Sequence, residues 1–200
     1  RFTAATLPRH YEIQAREADF MNKHLGVGAY MIPKTDQHQE INTNSYYGGM
    51  VRPDIGSLHP AKFYDSLLKL VKTANVIIHG QTRVVKISRL KDSHIVYTSR
   101  GIIVTSNLII ATNGYTDNFD KWLRRRLIPV TSRIVATEPL KPSLLSHLIP
   151  NNRLFGETRK MSHYFRLSPD GTRILMGGSE GENSDDPARN GAALKNYISK

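Results

Sequence analysis

The turn Thr112-Asn113-Gly114 is the part of this sequence whose residue types are best suited to hold a ligand. It directly follows an apolar run, Leu-Ile-Ile-Ala at residues 108–111, that contains no polar residue. A run of this kind predicts a strand that is covered on both faces, as in the parallel sheet of an α/β domain. Ligands bind at the carboxyl ends of the strands in such sheets, and small residues let the backbone approach them closely. By itself this stretch favours an ordinary buried strand and turn, with a cofactor-binding edge as the alternative.

Other patterns that carry chemistry are weak. Eight histidines are present, but none has the spacing that would place two metal ligands on one helix face. No protease triad can be assembled, and the carboxylate pair Asp185-Asp186 lies in a stretch typical of a solvated loop. Cysteine is absent, which excludes disulfides and Cys-ligated metals. We predict no metal site.

The charge balance is strongly basic, with 28 Lys and Arg residues against 17 Asp and Glu residues, a formal net charge of +11. This balance is compatible with a nucleic acid, an anionic membrane surface or an anionic ligand as partner. The basic residues are spread along the chain, however, and only residues 124–126 form a run. We therefore predict a solvated basic surface and no nucleic-acid partner. No apolar stretch approaches the roughly 18 residues of a spanning helix, so we expect no transmembrane segment and a cytoplasmic location.

The elements that precede the turn are those of an α/β chain. An amphipathic helix is predicted over residues 8–25, because Ala18 and Met21 belong to an apolar stripe at helical spacing. Gly26 is expected to end this helix. Gly26 and Gly28 have the spacing of a dinucleotide loop, but no strand precedes them, and we interpret them as a helix terminator and a loop.

The middle of the chain predicts half of a nucleotide-binding unit. Pro60 is expected to begin a helix with a buried apolar stripe that includes Phe63 and Leu67, and residues 75–79 predict a short buried strand. Three alternating runs predict an antiparallel meander over residues 82–87, 93–98 and 101–104. A meander between a helix–strand pair and a final buried strand is the arrangement of the return half of a dinucleotide-binding domain.

Shorter elements are predicted on either side of this half. The pattern indicates a short helix over residues 34–41, a strand with closely approaching glycines over 46–51, a short helix near Trp122, a strand over 130–137, a helix or turn over 144–149, an acidic loop over 183–187 and a last helix that continues to Lys200. Residues 164–167 and 173–176 flank Ser168-Pro-Asp-Gly171, which strongly predicts a hairpin.

Several of these pieces occur together, and in the same order, in a known family. They are Tyr47-Gly-Gly-Met50, Gly56-x-Leu58-His59-Pro60, Thr82-Arg-Val84, Ile110-Ala-Thr-Asn-Gly-Tyr115, Pro129-Val130, Ala136-Thr-Glu-Pro-Leu140, and Tyr164-Phe-Arg-Leu-Ser-Pro-Asp-Gly171 with Gly177-Gly178. The ordered series resembles the FAD-dependent oxidoreductases of the D-amino-acid oxidase family. Its order and spacing are most similar to the gamma-glutamylputrescine oxidase branch, and the resemblance covers nearly all of the chain.

The resemblance implies a mixed α/β and α+β fold. One part would be a segment of a FAD-binding Rossmann-like domain with the three-stranded antiparallel meander, residues 58–115. The other would be a substrate domain with an antiparallel sheet, residues 1–57 and 116–200. The family's phosphate-binding Gly-x-Gly-x-x-Gly, the acidic residue that holds the ribose and the segment that closes the FAD domain do not occur in this sequence. We therefore expect an internal fragment that does not hold FAD tightly by itself.

The resemblance also implies site residues. The cofactor contacts would be His59, Val84, Ala111, Thr112, Asn113 and Gly114, with the backbone of Val84 at the adenine. The substrate contacts would be Tyr164 and Arg166, which are two residues apart on a strand and so can point into one cavity. The alternatives are a core or interface role for Tyr164, a surface salt bridge for Arg166 and a purely structural role for His59 at the helix start.

The implied activity is oxidation of the C–N bond of an amine or amino acid. A hydride equivalent would pass to FAD and then to oxygen or another acceptor, and the sequence names no catalytic acid or base. One alternative is a non-enzymatic basic module whose binding to an anionic partner would depend steeply on salt. A quinone-linked dehydrogenase on the same fold is another, and the substrate and oligomeric state are not determined by the sequence.

Overall fold

The structure is a computed structural model that describes residues 1–128, 132–160, 162–178 and 192–198. It divides into two compact units, a first unit of residues 1–60 with 131–200 and a second unit of residues 61–130. The first holds a large mixed sheet and the second a separate three-stranded antiparallel sheet, which confirms the predicted fold class. The assignment of chain segments to FAD and substrate domains stays a prediction.

Helices and strands follow each other in the mixed order that the sequence indicates. The helices α1 to α5 are Pro8–Leu25, Pro60–Thr73, Lys121–Arg124, Pro142–Leu148 and Ala192–Ile198. The strands β1 to β10 are Phe2–Ala4, Tyr30–Ile32, Gly49–Val51, Val84–Arg89, His94–Thr98, Gly101–Thr105, Arg133–Ala136, Phe155–Glu157, Tyr164–Leu167 and Ile174–Gly178. Short 3-10 turns cover Gln37–Gln39 and Asn113–Tyr115.

A seven-stranded sheet with the order β2-β3-β1-β8-β9-β10-β7 organises the first unit. β1 is parallel to β8, and the other neighbouring pairs are antiparallel. The sheet is therefore mixed rather than purely antiparallel. The sequence analysis did not predict β1, β2 or β8, because each is only three residues long and shows no measurable alternation.

One face of this sheet carries the main hydrophobic core. Phe2, Phe155 and Phe165 lie in register on β1, β8 and β9, with ring centroids 5.9 Å and 4.7 Å apart along the row. Leu145 of α4 and Leu194 of α5 complete this core and are almost fully buried. Truncating a buried aromatic of this kind to alanine costs about 3–5 kcal/mol.

Helix α1 packs at the β2–β3 end of the sheet, where Ala18 contacts the small cluster of Ala29 and Met50. Gly26 has φ +62° and its N–H donates to the carbonyl of Asn22 at 3.2 Å, so the helix ends at the predicted glycine. The helix and the interpretation of Gly26 as a terminator are confirmed. The sequence pattern missed Gln14, whose buried side chain donates to the carbonyl of Thr3 at 3.0 Å.

Two short elements are smaller than predicted. The expected helix over residues 34–41 is only the 3-10 turn Gln37–Gln39, and the expected strand over 46–51 is only Gly49–Val51. The close approach expected at the glycines is confirmed. Gly48 has φ +78°, and a Cβ atom there would collide with the carbonyl of Ile32.

The second unit contains the predicted meander. β4, β5 and β6 form an antiparallel sheet in sequence order, with a bulge in β4 between Val84 and Lys86. Helix α2 also begins at Pro60 as expected. Its end is marked by Asn75, which has φ +56° in the left-handed region.

The two buried strands predicted in the second unit are wrong. Residues 75–79 and 108–111 form no strand, and Ile77 and Ile109 are 79% and 89% exposed. The apolar stripe of α2 is exposed as well, with Phe63 at 53% and Leu67 at 44%. Apolar composition predicts that a segment is buried, but it does not show that the segment is a strand. A strand forms only where another strand pairs with it through hydrogen bonds. The described part of the second unit provides no such strand.

The remaining predictions agree with the structure where it describes the chain. The hairpin β9–β10 is confirmed, and Gly171 has φ +69° in its turn. The helices near Trp122, over 144–149 and after residue 191, and the strand within 130–137, are confirmed. Pro129, Val130 and the loop 183–187 lie outside the described residues. Among the described helices, none is long and apolar enough to cross a membrane.

Candidate functional site

The face of the sheet opposite the core carries the predicted substrate residues. Gly156, Tyr164, Gly177 and Ile134 lie in register across β8, β9, β10 and β7. A Cβ atom at Gly177 would collide with the ring of Tyr164, so only glycine admits this ring position. A glycine inside a strand signals such a close approach, and the sequence analysis did not use that signal for Gly177.

Tyr164 is held by a hydrogen bond at its hydroxyl. The hydroxyl lies 2.9 Å from Oγ of Ser132, and Ser132 donates in turn to the carbonyl of Gly178 at 3.3 Å. The Tyr164 hydroxyl is therefore the donor to Ser132, because each hydroxyl has one proton. The ring is 41% exposed, so Tyr164 is not a core residue. No local pattern in the sequence marks Ser132 as its partner.

Arg166 lies on the same face as Tyr164. Its Nη1 donates to the carbonyl of Leu58 at 3.0 Å, which leaves the other guanidinium donors available. Among the described residues, Arg166 has no carboxylate partner, and the salt-bridge alternative for this residue stays untested. A neutral carbonyl orients the side chain without neutralising its charge.

Tyr164 and Arg166 line one cavity of about 360 Å³. Arg1, Ile134 and Leu175 also line it, and no Asp or Glu is among the described residues that do. The prediction that the two side chains point into one cavity is confirmed. Their contact with a substrate stays a prediction. An apolar cavity with a fixed hydroxyl and two guanidinium groups suits a small molecule that carries a carboxylate.

His59 belongs to the first unit, whereas the other predicted cofactor contacts belong to the second unit. It lines a neighbouring cavity of about 230 Å³ that Arg166 also borders. Its Nδ1 atom is buried and has no hydrogen-bond partner among the described residues. An unpaired buried nitrogen costs about 1–3 kcal/mol, and a bound polar group would remove that cost. A contact between His59 and a cofactor stays a prediction.

In the second unit, an exposed ion pair joins the residue before the strand of Val84 to the chain that follows the predicted turn. Nη2 of Arg83 lies 2.5 Å from Oδ2 of Asp117, three residues after Gly114. The hydrogen bond from Arg83 lowers the pKa of Asp117 and keeps its carboxyl ionised. The contacts of Val84 and of the turn at 112–114 with a cofactor stay predictions.

The geometry of this turn fits a nucleotide cofactor. Asn113 has φ +46°, and a hydrogen bond of 2.7 Å between the hydroxyls of Thr112 and Thr116 closes the turn. A Cβ atom at Gly114 would meet nothing within 4 Å, so the space above its backbone is open. Ala111 is exposed next to it. These residues are exposed to a ligand, although the carbonyls of Thr112 and Asn113 already accept hydrogen bonds within the turn, and the described residues add no glycine-rich phosphate loop. They fit part of a FAD site.

A buried carboxylate that the sequence analysis missed lies on the core side of the sheet. The side chain of Glu157 has no exposed surface. It accepts hydrogen bonds from the hydroxyl of Tyr197 at 2.7 Å and from the backbone N–H of His163 at 3.1 Å, and the His163 ring Nδ1 lies 2.7 Å away. The hydroxyl of Tyr46 also donates to the Glu157 carboxylate, at 3.4 Å, and burial raises the pKa of this hydroxyl. This network connects parts of the chain that are far apart in sequence.

A comparison with known proteins decides the family. The DAO family, FAD dependent oxidoreductase, matches residues 3–200. The chain belongs to this family. The predicted family and its cofactor, FAD, are therefore confirmed.

Two curated proteins show what this FAD dependent oxidoreductase chain is similar to in sequence. A probable oxidoreductase OrdL of Haemophilus influenzae is 30% identical over 156 residues, which are 76% of this chain and 36% of that protein. A gamma-glutamylputrescine oxidoreductase of Escherichia coli K12 is 25% identical over 150 residues, 74% of this chain and 35% of that protein. The chain thus spans about a third of the length of these relatives.

A solved structure shows the same fold. The glycine oxidase of Geobacillus kaustophilus superposes with a TM-score of 0.75 at 16% sequence identity. The match covers 99% of this chain and 52% of that protein. At this identity the likeness concerns the fold alone.

Proposed function

We propose that the whole protein containing this FAD dependent oxidoreductase chain oxidises the C–N bond of a small molecule that carries both an amine and a carboxylate. Amino acids and gamma-glutamyl amines belong to this class. The observation that supports the proposal is the cavity in which Tyr164 and Arg166 lie together without any carboxylate among its described lining residues. The names of the relatives, which include a gamma-glutamylputrescine oxidoreductase, are consistent with this substrate class.

The residues of the first unit would bind and orient such a substrate. Arg166, oriented by the carbonyl of Leu58, would donate to the substrate carboxylate through charge-assisted hydrogen bonds. Arg1 would add positive charge, and Tyr164 would offer the lone pairs of its fixed hydroxyl to the amine. Ile134 would contact the carbon chain and exclude water. Bound FAD would supply the two-electron acceptor.

The residues of the second unit would hold part of the cofactor. The backbone at Val84 and the turn at 112–114 would contact the dinucleotide, and the exposed turn has open space above the backbone of Gly114. The phosphate-binding loop and the strands that pair with residues 75–79 and 108–111 would come from the remainder of the whole protein. Oxygen and another acceptor, such as a quinone, are both compatible with this proposal, and so is a cytoplasmic location.

Anaerobic reduction of the flavin tests the proposal. The whole protein is mixed with matched pairs, glycine against methylamine and gamma-glutamylputrescine against putrescine, and the flavin absorbance is followed. We expect bleaching by at least one carboxylate-bearing member, at a rate about tenfold or more above that of its partner, since a charge-assisted hydrogen bond contributes about 1.5–3 kcal/mol. Absence of bleaching by any member contradicts the oxidoreductase proposal, and equal bleaching within every pair contradicts the role of the carboxylate.

A further inference from the structure

A second cavity, of about 310 Å³, lies in the first unit on the core face of the sheet. Its floor is formed by Phe165 of β9 and by Ile174 and Met176 of β10, each less than a tenth exposed. Successive side chains of a strand point to opposite faces, so Phe165 faces away from its neighbours Tyr164 and Arg166. The other lining residues of the two cavities differ and lie on opposite faces of the sheet, and Phe165, which lines both, directs its side chain to this one.

Tyr46 and Tyr197 form one wall of this cavity, and hydrogen bonds hold their hydroxyls in place. The hydroxyls of Tyr46 and Tyr197 lie 3.0 Å apart, and Tyr197 donates to the buried carboxylate of Glu157 at 2.7 Å. The His163 ring stacks on Tyr197 with centroids 4.2 Å apart and also contacts Glu157. The wall therefore keeps its shape without a ligand, which lowers the entropic cost of binding one.

Arg159 places a positive charge at the solvent side of the cavity. It is 46% exposed, and its Nε lies 3.7 Å from Oε1 of Glu157. Its guanidinium carbon is 5.1 Å from the centroid of the Tyr197 ring. Across the described part of the chain, the two terminal nitrogens of Arg159 have no hydrogen-bond partner, and no Asp or Glu lines the cavity. The cavity thus combines an apolar floor with one available cation.

We propose that this cavity binds a small monocarboxylate that carries an apolar chain or ring. The apolar group would pack on Phe165 and Met176, where sulfur and aromatic contacts are favourable. The carboxylate would accept hydrogen bonds from the terminal nitrogens of Arg159. The volume is near the lower end of the range of about 300–1,000 Å³ for small-molecule pockets, which limits the ligand to one ring or a short chain.

Methyl NMR on the whole protein tests this site with phenylacetate as the probe and its neutral analogue phenylacetamide as the control. We expect phenylacetate to shift the methyl signals of Ile174 and Met176, whereas a shift of Ile134, on the opposite face, reports binding at the substrate cavity. We expect phenylacetamide to bind about tenfold more weakly, because it cannot form the charge-assisted hydrogen bond.

Matched arginine variants locate the binding. Arg159→Gln is expected to weaken about tenfold the phenylacetate binding that the Ile174 and Met176 signals report, whereas Arg166→Gln, which removes the same charge on the other face, leaves the shifts of these two signals unchanged. Ser45→Trp, at an exposed residue that lines the cavity, is expected to block it without affecting the core. Shifts confined to Ile134 with a loss in Arg166→Gln, equal affinity of acid and amide, or no binding at millimolar probe would each overturn the proposal. The readout requires no turnover, so it stands apart from the outcome for the proposed function.

Discussion

The ring of Tyr164 passes over Gly177, its partner on the neighbouring strand, so closely that no side-chain atom fits at residue 177. The hydrogen bond to Ser132 holds the other end of the same side chain. Together these contacts determine where the Tyr164 hydroxyl lies in the cavity that it shares with Arg166. The position of a candidate substrate contact therefore depends on a residue that has no side chain.

Gly177→Ala is expected to displace the Tyr164 ring. We expect a loss of about 1–3 kcal/mol in the free energy of unfolding, the usual cost of overpacking, and a fall of about tenfold in kcat/KM of the whole protein. Gly56→Ala is the control, because a Cβ atom there meets nothing within 4 Å. Unchanged kinetics in Gly177→Ala would show that the ring position does not matter for activity.

Arg166→Gln is expected to raise KM for carboxylate-bearing substrates about 10- to 100-fold and to change KM for simple amines little. The reason is the loss of a charge-assisted hydrogen bond worth about 1.5–3 kcal/mol. Steady-state kinetics on the whole protein measure both values. Arg100→Gln removes the same charge from an exposed turn and is expected to behave as the wild type. An equal effect of Arg166→Gln on both substrate classes would argue against carboxylate recognition.

Residues 1–200 produced by themselves are expected to retain far less than one FAD per chain. The turn at 112–114 is exposed, and Ile109, three residues before it, is 89% exposed with no paired strand among the described residues. The flavin absorbance of the chain, after mixing with excess FAD and desalting, measures the retained amount. The whole protein treated in the same way is the control, and a stoichiometric yellow chain would contradict the prediction.

Glu157→Ala is expected to lower the free energy of unfolding by about 3–5 kcal/mol, because it removes a buried charge that several donors share. The variant removes the carboxylate acceptor of the Tyr46 and Tyr197 hydroxyls, which can then bond only with each other within this network. Chemical denaturation measures the loss. Glu12→Ala, at an exposed position on α1, removes an equal charge and is expected to stay within about 0.5 kcal/mol of the wild type. A similarly small effect at residue 157 would show that the network does not stabilise the fold.

The buried hydroxyl of Tyr46 predicts a loss of stability at alkaline pH. Burial, followed by the hydrogen bond with Tyr197, raises the pKa of Tyr46 above its ordinary value of 10.0. The folded state therefore keeps a proton that the unfolded state releases, so this contribution is complete below pH 10.0 and is lost as the pH rises from there towards the folded pKa. Unfolding free energies measured from about pH 9 to 11 should fall less steeply in Tyr46→Phe than in the wild type. Equal slopes would contradict the assignment.

The amino-acid sequence by itself determined the elements whose signal is local. The stripe of α1 and its end at Gly26, the meander β4–β6 and the hairpin around Ser168-Pro-Asp-Gly171 all follow from periodicity and turn chemistry within a few residues. The alternation along β9 also placed Tyr164 and Arg166 on one face. The ordered motifs sufficed for the family and for FAD.

The tertiary structure decided what depends on partners distant in sequence. The three-residue strands β1, β2 and β8 exist only because neighbouring strands complete their hydrogen bonds. The buried Glu157 likewise has a hydrogen-bond partner, Tyr46, that is 111 residues away in the sequence. Residues 108–111 are the opposite case. They are apolar, as the residues of a buried strand are, but no described part of the chain pairs with them or buries them. The local sequence shows which faces are apolar and should be buried. Whether such a face is buried depends on strand pairing, because a strand forms only along the edge of another strand.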